Sequence, residues 1–376
     1  MVEEMRLAFI SFDFGEYSIR LANALARELE VALLLPYTQA EPHLSILDSV
    51  VKFQPFRKPR LRQAFQQVGM VSSVIQRIER FNPDVVHVQQ GHMWFNFGLP
   101  LLRRYPLVMT VHDPRHHIGD RNSQKTPQMI MDFGFHRADQ IIVHAKQMRQ
   151  TLVERCHISA GKVHVIPHIK IGHDSTQGQA EDEECLILFF GRIWEYKGLE
   201  YLIRAEPLIT SEVPGARIVI AGQGEDFARY RRMMVHPERF IVHNEYISDT
   251  RLSDLFRRAA VVVLPYIEAT QSGVIALAYT FGKPVVATTV GGLPEMVDHE
   301  QTGYLVPPRD PTALAGAIVR LLKDKQLRRQ FGTNGRRKID AECSPDAVAE
   351  KTIRVYHQAL ADSSHAADHT VSKAAG

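Results

Sequence analysis

Two doubly wound α/β domains are predicted for this chain, and three observations predict them. Short apolar runs alternate with amphipathic stretches from end to end. The runs are unbroken rather than alternating in polarity, as parallel strands covered on both faces require. The alternation lapses once, over residues 171–184 (IGHDSTQGQAEDEE), and then restarts. A polar, glycine-containing lapse between two βα series reads as a linker between domains. At 376 residues the chain has room for two domains of ~150 residues each. The expected division is an N-terminal domain at 1–170, the linker at 171–184 and a C-terminal domain at 185–345. A closing helix at 346–361 and a disordered tail at 362–376 follow, because DSSHAADHTVSKAAG is small and polar.

In chain order, RLAFIS from Arg6 reads as a strand, followed by a helix with Leu21, Leu25 and Leu29 at helical spacing. VALLLP is the second strand. Val71, Val74, Ile75 and Ile78 then mark one face of a helix. DVVHVQ, LVMTVH, QIIVH and VHVIP are further buried strands. Beyond the linker the series is CLILFF, RIVIAG, FIVHNEY, VVVLPY, PVVATT and GYLVPP. Ligands of doubly wound folds bind beyond the carboxyl ends of the strands, so the cleft between the domains is the expected site.

Bulk properties narrow the class. Hydrophobic residues make up 45% and charged residues 23%, as in ordinary globular proteins. Cys156, Cys185 and Cys343 show no CxxC or Cys/His spacing, so neither a disulfide framework nor a zinc site is expected, and the default is a reducing compartment. The opening MVEEMRLAFISF lacks the basic-then-apolar form of a signal peptide. No apolar run approaches the ~20 residues of a membrane span. Residues 1–170 carry 21 Lys/Arg against 15 Asp/Glu and the remainder 24 against 27, a mild basic excess in the first half. A cytoplasmic protein is expected, with peripheral contact on the inner face of the membrane as an option and no nucleic-acid partner.

The segment CLILFFGRIWEYKGLEYLIRA carries the most chemistry. A buried strand ends at Gly191, Arg192 stands at its tip, and Lys197-Gly198 open a helix. A guanidinium, an ammonium and a helix start around one point suit a diphosphate leaving group, whose charge grows as its bond breaks. Alone, the same residues read equally well as a solvated loop. About eighty residues on, VVVLPYIEATQSGVIALAYTFGKPVVATTVGGLPE joins a buried strand, a small-residue loop and a helix opening near Ser272-Gly273. Free amides there can hold phosphate oxygens. The ordered pair is far more specific than either turn. His112 closes the strand LVMTV. A neutral imidazole at a strand tip can donate to a sugar hydroxyl or a phosphate, although a loop histidine bonded to backbone is the plainer alternative.

GRIWEYKG, FGKPVVATTVGGLPE and TGYLVPP, with NPDVVHVQ, TVHD, RADQIIVHA and KVHVIPH in the first half, resemble the retaining, metal-independent glycosyltransferases of family 4. The likeness runs from about Arg6 to about Leu360. It implies an α/β GT-B architecture of two facing Rossmann-like domains with parallel sheets and an interdomain cleft. It also implies transfer of a sugar from a UDP- or GDP-sugar to a saccharide, lipid-linked or other glycoconjugate acceptor. Arg192 and Lys197 would bind the donor diphosphate, the Gly15 loop would face the phosphates, and His112 would sit beside the transferred sugar. The donor set is thus Gly15, Gly191, Arg192, Lys197, Glu268, Ser272 and Gly273, with His112, Arg192 and Lys197 as the catalytic candidates.

The chain departs from the family pattern in places. Members usually carry two glutamates spaced by eight residues where Ala269 and Leu277 stand here, with Glu268 one residue off the first. The second commonly holds the ribose, which Leu277 cannot do. FDFGEYSIR has one glycine where two are common, and His144 and His168 stand where Ser and Asn are frequent. His112, His116 and His117 fit no usual zinc spacing, so neither metal nor cofactor is expected beyond the nucleotide-sugar substrate. A scaffolding homologue without turnover and a nucleotide-sugar epimerase are the alternatives. KFQPFRKPRLR, from Lys52 to Arg62, could line an acceptor groove or touch an anionic membrane, or be a surface loop. HMWFNFG could hold an apolar acceptor or be a helix core face.

Overall fold

The computed structural model describes residues 4–117, 126–172 and 183–374, with side chains to residue 363. The chain forms two compact units. The N-terminal unit comprises the described residues to Arg115, from 126 to Ile169, and from Ser344 on. The C-terminal unit is Lys170–Cys343 together with His116 and His117. Most of the expected linker, residues 173–182, lies outside the described residues.

The N-terminal unit is a seven-stranded parallel sheet in the order β3-β2-β1-β4-β5-β6-β7. The strands are β1 (Arg6–Ser11), β2 (Glu30–Pro36), β3 (Lys52–Phe56), β4 (Val85–Gln89), β5 (Leu107–Val111), β6 (Gln140–Val143) and β7 (Val163–Val165). Interior strands such as LVMTV are buried throughout, which explains their unbroken apolar runs. The crossovers include α1 (Gly15–Leu25), α2 (Tyr37–Ala40), α3 (Ala64–Phe81), α4 (Met93–Gly98), α5 (Gln128–Arg137) and α6 (Lys146–Arg155). One core joins the sheet to α3, α4, α5 and α6 through Val74, Ile78, Phe95, Met131, Phe135 and Leu152.

Two sequence expectations change here. Lys52–Phe56, read as the start of a surface loop, is the edge strand β3; Pro55 is tolerated because an edge strand has one unpaired side. The closing helix runs from Pro345 to Ala374, past the expected end at 361 and through the stretch read as a disordered tail from 362. That stretch is alanine-rich and has no Gly or Pro before Gly376 to stop a helix. This helix, α14 (Pro345–Ala374), belongs to the N-terminal unit. It packs on α1, and the Tyr356 hydroxyl meets His87 Nδ1 at 2.7 Å.

The C-terminal unit is a six-stranded parallel sheet, β10-β9-β8-β11-β12-β13. Its strands are β8 (Leu186–Phe190), β9 (Arg217–Ala221), β10 (Phe240–His243), β11 (Val261–Leu264), β12 (Val285–Thr288) and β13 (Gly303–Val306). One face is covered by α7 (Leu199–Glu212) and α12 (Pro311–Lys323), through Leu202, Ile209, Ile318 and Leu321. The other carries α9 (Asp249–Arg258), α10 (Gly273–Thr280) and α13 (Lys325–Glu342), through Leu255, Ala278 and Ile339. The short helices α8 (Ala228–Arg231) and α11 (Leu293–Met296) complete the unit. Strand order reverses between β1 and β4 in one sheet and between β8 and β11 in the other, the points where such sheets open to ligands.

Candidate active site

In the C-terminal unit the chain leaves β8 through Gly191 and Arg192, passes a 3-10 turn at Glu195–Lys197 and enters α7. Gly198 makes this turn possible. Its φ is +63°, and a Cβ there would lie 1.9 Å from the Pro265 carbonyl oxygen. Backbone therefore packs on backbone, holding the Lys197 turn against the loop after β11. The Lys197 ammonium sits 3.8 Å from the ring centre of Tyr266 and 4.9 Å from that of Tyr196. Aromatic faces hold a cation without neutralising it. Arg192 is exposed, and its Nη2 donates to the Tyr196 hydroxyl at 3.3 Å. Burial pushes the Tyr266 phenol pKa up, so Tyr266 stays a neutral hydroxyl, 3.3 Å from Ser272 Oγ.

Ser272 is the N-cap of α10 and accepts from the Val274 amide at 3.3 Å. The Ile275 amide donates to the Ser272 carbonyl at 3.2 Å. Two first-turn donors, those of Val274 and Ile275, are thus used locally. Glu268 lies one residue before the buried Ala269, and its carboxylate is 3.3 Å from His117 Nδ1. His117 stacks on Tyr196 at 4.7 Å and 12°, and its Nε2 is 3.3 Å from Thr270 Oγ1. Beside this cluster, at the ends of β8, β9 and β10, is a pocket of about 490 Å³ lined by Gly191, Arg192, Trp194, Gly224, Glu245 and Tyr246. Leu277 points elsewhere. It is buried in the core and packs on Gly172, where a Cβ would come within 2.7 Å of its Cδ2.

In the N-terminal unit His112 follows β5, His144 follows β6 and His168 lies beyond β7. Their rings form a cluster, with centres 4.7 Å apart for His112 and His144, and 5.1 Å for His144 and His168. Tyr17 stands edge-on to His112 and His168. Burial is the main cause that holds His112 well below its ordinary pKa, helped by the neighbouring imidazoles. It lowers His144 to about 3 and His168 to about 4. All three are neutral at pH 7.

The tautomer of His112 follows from its neighbours. The Gln89 side-chain amide donates to Nε2 at 3.0 Å, so the ring proton sits on Nδ1. Nδ1 is buried and has no partner among the described residues. His144 donates from Nδ1 to the Ile166 carbonyl at 3.0 Å, leaving Nε2 as a buried acceptor without a partner among those residues. A donor and an acceptor on neutral rings match hydroxyls rather than ions. Phe14 covers this cluster. It adopts φ +60°, rare for a bulky residue, and stacks on His112 at 4.0 Å and 15°. Gly15 follows at the start of α1, where a Cβ would lie 1.9 Å from the Gln39 carbonyl oxygen. Packing against α2 therefore accounts for Gly15 by itself.

The residues named from sequence thus fall into two sets. Gly191, Arg192, Lys197, Glu268, Ser272 and Gly273 lie at the ends of β8 and β11, and Gly15 and His112 at the ends of β1 and β5. Sequence reasoning missed Tyr196, Tyr266, His117, Phe14 and Gln89. Tyr196 adjoins Lys197 and could have been suspected. Nothing local marks His117, whose contact with Glu268 spans 151 residues.

Comparison with known proteins finds matches to both halves of the chain. The model for Glycosyltransferase Family 4 matches residues 15–169, and that for Glycosyl transferases group 1 matches residues 184–324. An uncharacterised glycosyltransferase of Methanocaldococcus jannaschii is 36% identical over 183 residues, 48% of this chain and 46% of that protein. The match therefore spans about half the length of that relative. Among solved structures, sucrose-phosphate synthase from Thermosynechococcus elongatus superposes with a TM-score of 0.73 at 21% identity, covering 95% of this chain and all of the other. HepE of Anabaena, solved in complex with UDP, gives 0.70 at 18%, covering 94% of this chain and all of the other. These likenesses carry the GT-B fold, and the two matching models carry the family. The chain belongs to the group 1 glycosyltransferases of family 4.

Proposed function

We propose that the chain is a retaining, metal-independent glycosyltransferase that moves a sugar from a UDP- or GDP-sugar to a saccharide, lipid-linked or other glycoconjugate acceptor. The observation that carries this reading is the placing of Arg192 and the ring-held Lys197, both bound to tyrosines, beside a pocket of about 490 Å³ at the ends of β8, β9 and β10. Two cations beside a nucleotide-sized pocket suit a nucleoside diphosphate. The bond from sugar C1 to the phosphate oxygen breaks, and the bond from C1 to the acceptor oxygen forms on the same face. The departing phosphate takes the acceptor's proton, so no carboxylate has to act as base. Arg192 and Lys197 stabilise the charge that develops on the phosphate, the role a divalent ion plays in other transferases. The neutral Nδ1–H of His112 orients the sugar through a hydroxyl.

The core packing of Leu277 and Ala269 at the usual glutamate positions favours a second reading, a homologue that binds without turnover. Calorimetric titration of UDP and GDP into the purified chain, in EDTA, tests the donor site, and turnover of a UDP- or GDP-sugar separates the two readings. Binding is expected to survive EDTA. Lys197→Ala should lose roughly ten- to a hundredfold in affinity, since a charge-assisted contact contributes about 1.5–3 kcal/mol. No binding of any nucleoside diphosphate would overturn the transferase reading.

A further inference from the structure

Six large apolar side chains stand in solvent on the helical layer over one face of the N-terminal sheet. They are Phe65 and Val68 on α3, Phe97 on α4, Leu101 just beyond it, and Met129 and Phe133 on α5, from 95% exposed at Phe65 to 44% at Phe133. The three helices are neighbours. Gly98 of α4 lies against Val71 and Ile75 of α3, and the Asn96 amide of α4 donates to the Ile130 carbonyl of α5 at 2.9 Å. Each helix already buries its opposite side, at Val74 and Ile78, at Phe95, and at Met131 and Phe135. The exposed band is therefore additional to what the core requires, and a soluble surface rarely leaves such a band uncovered.

Charge says what covers it. Arg57, Arg60 and Arg62 precede α3, are exposed, and form no ion pair among the described residues. The Trp94 indole donates to the Leu61 carbonyl at 3.1 Å and ties this arginine segment to α4. Exposed Arg103 follows Leu101 at the other end. Of the acids nearby, Asp132 accepts from Gln128 at 2.8 Å and Glu79 faces Arg104 at 3.8 Å. We propose that this face docks on a bilayer containing anionic lipid, the apolar side chains entering the headgroup boundary and the arginines meeting lipid phosphates. A second copy of the chain would set one arginine cluster against another. An anionic membrane satisfies both the apolar band and its charged edge. No helix among the described residues is long and apolar enough to cross a membrane, so the contact is peripheral.

The test uses the full chain without nucleotide, so its outcome is independent of the transferase reading. Co-sedimentation with vesicles of phosphatidylcholine alone is compared with vesicles that also contain phosphatidylglycerol. Binding is expected to the anionic vesicles and to fall as salt rises. At ~1 kcal/mol per arginine, the triple variant Arg57→Gln, Arg60→Gln, Arg62→Gln should lose about a hundredfold in partitioning. Phe65→Ser with Phe97→Ser should weaken binding at high salt without lowering the melting temperature, because both side chains are exposed. Equal binding by the triple variant, or none by the native chain, would overturn the proposal. A dimer in sedimentation velocity that Phe65→Ser abolishes would assign the face to a second copy and overturn it equally.

Discussion

Phe14 and His112 form a constrained pair of residues. Left-handed backbone costs a bulky residue about 1–2 kcal/mol; the ring stack on His112 and the bonds from the Ser18 amide and hydroxyl to the Phe14 carbonyl hold it there. Because burial is the main cause of the low His112 pKa, removing the cover should reverse part of it. In Phe14→Gly the His112 pKa should rise toward its ordinary value, as read from imidazole shifts in an NMR titration. An unchanged pKa would show that Tyr17 and the neighbouring histidines bury the ring without help. His112 itself was legible in the sequence, because a histidine closing an apolar strand stands at a sheet edge. Its tautomer was not, because that depends on Gln89, which reaches it from the next strand.

Helix α10 shows how an element can keep its place while changing its content. Its start at Ser272-Gly273 follows from a capping serine ahead of an apolar run, so the sequence suffices to locate it. What its side chains face depends on packing. Leu277 contributes to the core at a position where the family resemblance implies a glutamate, and Glu268 supplies a carboxylate near the strand tip. Leu277→Ala should therefore cost about 2–5 kcal/mol of stability in chemical denaturation, the usual result of a large-to-small change in a core. Nucleoside diphosphate affinity should move by less than about twofold in the same variant. A large loss of affinity with unchanged stability would place Leu277 at the ligand instead. The edge strand β3 and the length of α14 went unread because their cues are weak: a strand containing proline, and a polar helix end.

For the molecule as a whole, the buried histidines make acid the sensitive variable. His87, His92, His112, His144 and His168 all belong to the N-terminal unit, and burial lowers every one, His87 to about 3 and His92 to about 4. In the unfolded chain each titrates near its ordinary 6.5. Above that pH both states are neutral and no difference arises. As pH falls from about 6.5 toward 4, the unfolded chain takes up protons that the folded unit refuses, so stability falls. At pH 5 the loss is about 2 kcal/mol for each histidine, and several together approach a domain's whole stability of about 5–15 kcal/mol. In the C-terminal unit His243 is lowered too, but it is only half-buried. Calorimetry between pH 7 and 4.5 should therefore show two transitions separating, with the N-terminal unit melting first. A single transition that moves as one would count against this account.

The sequence by itself determined the two parallel-sheet units, the strands that carry the candidate site and the positions of Arg192, Lys197, Ser272 and His112 at strand and helix ends. Each of these follows from local pattern: unbroken apolar runs, a small-residue turn, a cap, a polar residue at a strand end. Tertiary structure alone decided which groups meet. His117 reaches Glu268 across 151 residues, Lys197 is gripped by Tyr266, and α14 returns to the N-terminal sheet to bond His87 across 269 residues. Such contacts depend on which faces of distant elements pack together, and no spacing along the chain encodes that. The same limit applies to protonation. A histidine's neutrality at pH 7 comes from the dry surroundings that the fold builds around it.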